Sequence, residues 1–150
     1  MWRLIVILLL LLAGAFVNGA AEACRGYMWE RTFYFAEVPV GIEADMIAEV
    51  TIDEIVPAPR LALPGSVDEK YYQVALARVH CIVKGEIEKS VIKLANIPSS
   101  CGPYLDVRAV GWSGFVAGKM DRDRDGVPVL FATSESHVER ERRLEKAGKP

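Results

Sequence analysis

The stretch Tyr71-Tyr72-Gln73-Val74-Ala75-Leu76-Ala77-Arg78-Val79-His80-Cys81-Ile82-Val83 decides the fold class. Its apolar residues recur with period two, which is the signature of a half-buried strand. Tyr72, Val74 and Leu76 occupy even positions, whereas from Ala77 the apolar set is odd and Arg78 and His80 turn outward. A slip of phase within one strand predicts a bulge or sharp bend. Strands bent in this way close small barrels.

Other strands follow on both sides. Between Asp45 and Ile52, Met46, Ala48, Val50 and Ile52 alternate with Glu49 and Thr51. Pro57, Pro59, Pro64 and Gly65 mark a loop, and Lys84-Gly85 ends the long strand. Val91–Leu94 reads as a short strand, and Pro98–Pro103 as a rigid loop carrying Cys101. Gly111–Met120 and Val127–Thr133 flank a polar turn and predict a hairpin. The expected fold is mostly β: a small OB-type barrel, closed or partly open, of about five strands with a C-terminal helix. That helix is expected over Glu135–Lys149, capped by Ser134 or Ser136, with Glu139 facing Arg143. Its apolar stripe, Val138, Leu144 and Ala147, is thin. Such a helix is either a solvated tail or a docking element for a partner.

The N-terminus supplies an address. Arg3 precedes the apolar run Leu4–Val17, Asn18-Gly19 breaks it, and Ala21-Glu22-Ala23 fits a cleavage site. This is the anatomy of a secretory signal peptide, and the run is short for a bilayer span of roughly 20 residues. The expected organisation is a signal peptide over 1–23, a barrel over 24–134 and a polar helical tail over 135–150. Export to an extracellular or periplasmic space follows. Membrane attachment would require an uncleaved leader or a lipidated Cys24.

The chain of 150 residues has 18 Lys+Arg and 20 Asp+Glu, a formal net charge of -2. That balance predicts no nucleic-acid partner, which needs a clustered basic face. The hydrophobic content of 51% excludes disorder. Three cysteines in an exported chain leave at least one unpaired. Cys81 reads as a buried thiol on the face of Ala77, Val79 and Val83, which favours a Cys24–Cys101 disulfide. Three free thiols are the alternative.

Val83-Lys84-Gly85-Glu86-Ile87-Glu88-Lys89, Pro98-Ser99-Ser100-Cys101-Gly102, Leu105-Asp106-Val107 and Ala117-Gly118-Lys119 follow one another in a recognisable order, with Ala44-Asp45-Met46-Ile47 upstream. Together they resemble the netrin-like domain, as in the N-terminal domain of tissue inhibitors of metalloproteinases. The resemblance spans roughly Cys24 to Thr133 and is most specific over Lys84–Lys119. It implies a five-stranded OB barrel. It also implies a mature chain starting at Cys24, tethered to Cys101. The amine and carbonyl of that cysteine would chelate the zinc of a target metalloprotease. Arg25 then stands beside the inhibitory N-terminus, where the family usually has a small hydroxyl residue.

No glycine-rich phosphate loop, Gly-x-Ser-x-Gly or His-Glu-x-x-His occurs, so no enzyme and no cofactor are expected. Asp121, Asp123 and Asp125 imitate the start of a calcium loop, yet Ala132 stands at the twelfth position. A hairpin turn is therefore the expected structure there. His80 and His137 lack ligands at metal spacing, and His80 reads as a barrel-surface residue. Trp29, Phe33, Tyr34 and Phe35 cluster in sequence, with Trp112 and Phe115 on the hairpin. Of these, Trp29, Phe33, Tyr34, Trp112 and Phe115 either form a binding surface or fill the barrel.

The functional expectation is an exported, non-catalytic binding module with an unidentified protein partner. The alternatives are a metalloprotease inhibitor and a structural or lipid-anchored envelope protein.

Overall fold

A computed structural model describes residues 31–57, 60–61, 70–97 and 102–148. The barrel strands are β2 (Met46–Ile55), β5 (Gln73–Lys84), β6 (Val91–Asn96), β7 (Ser113–Arg122) and β8 (Pro128–Ala132). They close in the order β2-β5-β6-β8-β7, with β7 returning to β2. Only the β6–β8 pair is parallel. One parallel pair closing an otherwise antiparallel five-stranded barrel is the OB-type arrangement, as the strand pattern predicts. Two pairs of two-residue strands lie outside the barrel. β1 (Arg31–Thr32) pairs with β9 (Glu135–Ser136), and β3 (Arg60–Leu61) pairs with β4 (Lys70–Tyr71).

The alternation in β2 does what the sequence requires. Met46, Ala48, Val50 and Ile52 are fully buried in the barrel with Ala75, Ala77, Ile92, Leu94, Val116 and Leu130. Each large aliphatic side chain withdrawn from water contributes about 1.5–3 kcal/mol.

The phase slip in β5 coincides with a pairing irregularity, as expected, and with a second covered face. Ala75 and Ala77 face the barrel interior, and Val79 packs on the same core. Tyr72 and Val74 face outward, but Ala95, Val129, Val56 and Phe131 cover them in a second cluster. Two covered faces read in the sequence as one face that changes phase. A pairing irregularity also falls at the slip itself, because the step Ile52/Glu54 on β2 lies opposite Ala77/Leu76. The pairing of β2 with β5 shifts at Ile47/Ala48, Glu49/Val50 and Ile52/Glu54. The unmatched residues are Val83 and His80 on β5 and Asp53 on β2.

Cys81 corrects the buried-thiol expectation, because it is a free and exposed cysteine. The reason is the length of β6. Its pairing with β5 ends at Arg78↔Val91, so beyond that point β5 is flanked, among the described strands, by β2 alone, and Ile82 and Val83 are exposed as well.

The C-terminal helix α1 spans His137–Lys146, starting after Glu135 rather than at it. Ser136 is the N-cap: its hydroxyl accepts from Glu139 N at 3.3 Å, and the Glu139 carboxylate accepts from Ser136 N at 2.8 Å. This capping box explains why Glu139 does not pair with Arg143. Glu139 bonds Arg31 instead, at 3.0 Å, and Arg143 grips the buried Glu135 at 2.6 and 2.8 Å. Arg143 also donates to the Val40 carbonyl. Ser136→Ala is expected to cost about 1 kcal/mol. A urea denaturation midpoint that does not move would remove the cap from the account of helix stability.

Candidate interaction surface

One mouth of the barrel is closed by the segment between β6 and β7. Leu105 and Ala109 from this segment join the core cluster, as does Phe33, whose ring centroid stands 4.2 Å from that of Tyr34. Asp106 starts a short 3-10 turn, Val107–Ala109, by accepting from Arg108 N at 2.9 Å. Its carboxylate also binds the Arg108 guanidinium at 2.6 Å, which holds the acid below the ordinary carboxylate range. Gly111 takes φ 85°, a left-handed conformation suited to glycine, and donates to the Ile52 carbonyl at 2.8 Å. Ile52 N donates to the Trp112 carbonyl at 2.9 Å, so the loop is sewn to the end of β2.

Two aromatic rings meet on this closure. Tyr34 and Trp112 stand edge to face, with centroids 4.7 Å apart. The Trp112 ring lies against Gly114, where an added Cβ would come within 2.6 Å of it. Thr32 Oγ1 accepts from Tyr34 N at 3.0 Å and fixes the backbone. The Tyr34 hydroxyl donates to the Tyr104 carbonyl at 3.0 Å. Its pKa is pushed up to about 12 by burial and by the nearby Asp106 charge, so the phenol stays a donor at neutral pH. Tyr34, Trp112, Tyr104 and Ala109 line a concavity of about 320 Å³ with the Asp106–Arg108 pair at its edge. Around it, Tyr104 is 46% exposed, Val110 47% and Val107 79%.

The aromatic expectation is thus divided. Tyr34 and Trp112 come together at a surface. Phe33 is fully buried and serves the core. Phe115 does not join them, because it lies with Phe35, Ala44, Ile47 and Ala117 under the 35–44 segment. Its backbone bridges to Phe35, with N···O distances of 2.8 and 3.0 Å. Trp29, Cys24, Arg25 and Cys101 lie outside the described residues. Sequence reasoning missed Tyr104, Val107 and Val110. Their signal was three large apolar residues in a short segment bounded by Pro103 and Gly111.

The acidic run forms the expected turn. Asp123 caps it by accepting from Val127 N at 2.8 Å and Asp125 N at 3.0 Å. It also forms an ion pair with Lys93, and Asp121 accepts from Arg122 N at 2.7 Å. The Asp123 carboxylate is therefore already engaged. Among the described residues no group of three or more His, Cys, Asp or Glu is placed to hold a metal.

His80 is exposed on the barrel wall, as expected of a surface residue. Its Nε2 lies 2.7 Å from Thr51 Oγ1, which is 2.5 Å from Ser113 Oγ. This row crosses three strands on an open face. No described carboxylate orients the imidazole through a hydrogen bond, so the row lacks the third member of a nucleophilic relay.

The chain matches no protein-family model, no curated protein and no solved structure.

Proposed function

We propose that the chain is an exported, non-catalytic interaction module of netrin-like type, and that its partner docks on the barrel closure around Tyr34 and Trp112. The observation that carries this reading is the exposed apolar set Tyr104, Val107 and Val110 beside the aromatic pair. Apolar side chains collected on a rigid closure lower free energy only when a partner removes them from water. Tyrosine and tryptophan are suited to such contacts because a large rigid ring also carries a hydrogen-bonding group. The OB-type barrel supports the reading, since this fold presents binding surfaces on its loops and strand faces.

Immobilised wild-type chain is expected to retain a partner that Tyr104→Ser combined with Val107→Ser loses by about tenfold or more in affinity. Both side chains are exposed, so thermal stability should change little. Undiminished retention by this variant overturns the reading. Export is checked separately: N-terminal sequencing of the recovered chain is expected to begin at Cys24, and a start at Met1 counts against it.

A further inference from the structure

The aromatic closure does not end at Tyr34. Tyr34 also lines a second concavity of about 370 Å³ between the 35–40 segment and α1, whose wall includes Arg140, Arg143 and Leu144. Arg143 in turn borders a third concavity of about 480 Å³, shared with Gly41, Arg142 and Lys146. Tyr34 and Arg143 are the two shared walls, so the three hollows follow one another along the surface.

The charges on this route are segregated. At about 3.6 residues per turn, Arg140, Arg142, Arg143 and Lys146 fall on the side of α1 turned to the 35–41 segment. Glu141 and Glu145 fall on the other side. Glu139 lies on the cationic side but is held by Ser136 and Arg31. Arg143 is committed to Glu135 and Val40. Arg140, Arg142 and Lys146 are exposed and form no ion pair with a described residue. Glu37 is the one uncommitted acid among the described lining residues. Exposed Val38 and Val40 supply apolar surface beside these cations.

We infer that the partner segment is extended, acidic and apolar, and that it runs from the Tyr34–Trp112 closure along this groove to Arg142 and Lys146. This rests on the interaction-module reading and adds the partner's chemistry. The uncompensated cations select carboxylates by charge complementarity, and the hollows between them accept aliphatic side chains. A chain of connected hollows suits an extended segment better than a flat bilayer surface.

The probe is a fluorescein-labelled peptide of about 12 residues, ~40 Å when extended, alternating Glu with Leu and Pro. Its control carries Gln for every Glu. Anisotropy titration of the full chain is expected to show binding of the Glu peptide about tenfold tighter than of the Gln peptide, weakening with salt. Arg140→Glu combined with Arg142→Glu is expected to abolish that preference. These exposed positions make no described ion pair, so the fold should persist, which circular dichroism checks. Equal binding of the two peptides, absence of binding, or a preference that survives the charge reversal overturns the inference. So does charge-dependent binding to vesicles of phosphatidylglycerol and phosphatidylcholine without binding of the Glu peptide. Should Tyr104→Ser with Val107→Ser lose the partner while the charge-reversed chain keeps it, the acidic route fails and the closure reading stands.

Discussion

Gly118→Ala is expected to destabilise the barrel by about 4 kcal/mol or more, a large share of the ~5–15 kcal/mol that holds a domain folded. Gly118 sits in β7 between Met46 on β2 and Ala132 on β8. A Cβ there would stand 2.0 Å from the Phe131 carbonyl oxygen and 2.8 Å from its carbon. Both atoms belong to a backbone paired within the barrel, so relief requires β7 and β8 to separate. Such a separation breaks the ladder and opens the core beneath Leu130 and Val116. Gly126→Ala is the comparison. Gly126 has φ 76° but nothing within 4 Å of an added Cβ, so only backbone strain of about 1–2 kcal/mol is expected. Urea denaturation of both variants decides the matter. A Gly118→Ala loss no larger than that of Gly126→Ala would show that the strands are not tightly apposed there.

Asp123→Ala is expected to cost about 3 kcal/mol, because it strands a partly buried ammonium and two backbone donors. The Asp123 side chain is 4% exposed and is paired with Lys93. Burial by itself pushes its carboxyl up, but the Lys93 ammonium and the hydrogen bonds from Val127 and Asp125 outweigh that and hold it below its ordinary 3.8. A carboxylate whose folded pKa is depressed stabilises the fold above the unfolded pKa, and this contribution fades as pH falls through the folded value. Wild-type stability should therefore decline below about pH 4 more steeply than that of Asp123→Ala. Lys93→Met added to Asp123→Ala should recover part of the loss, since the unpaired charge is gone. Parallel acid slopes in wild type and Asp123→Ala would remove this ion pair from the acid response.

The two expectations illustrate what was legible in the chain. The alternation of Met46, Ala48, Val50 and Ile52 is a local signal, and the strand forms where it lies. The apolar runs around Asp121–Gly126 are equally local, and the hairpin forms there. In Glu135–Lys149 the helix formers and Ser136 were readable, but the ion-pair partners were not. Glu139 and Arg143 stand four apart, yet Glu139 binds Ser136 and Arg31 while Arg143 binds Glu135. Arg31 and Glu139 are 108 positions apart in the chain, a proximity that no local spacing encodes. The interaction surface was half legible. Tyr34 and Trp112 stood out as aromatics, whereas the exposure of Tyr104, Val107 and Val110 depends on how the closure seats on the barrel.

The chain by itself determined the strands, the hairpin, the helix and the mostly β class, because period-two alternation, turn residues and caps act between near neighbours. Only the tertiary structure decided which faces are covered. In β5 the outward Tyr72 and Val74 are buried by Ala95, Val129 and Phe131. Cys81, on the same strand, is exposed because β6 pairs with β5 no further than Arg78. Burial is a property of what lies opposite a residue, and the opposing residue comes from a distant part of the chain. The same holds for the groove from Trp112 to Lys146, whose walls meet only after the barrel has closed and α1 has docked beside it.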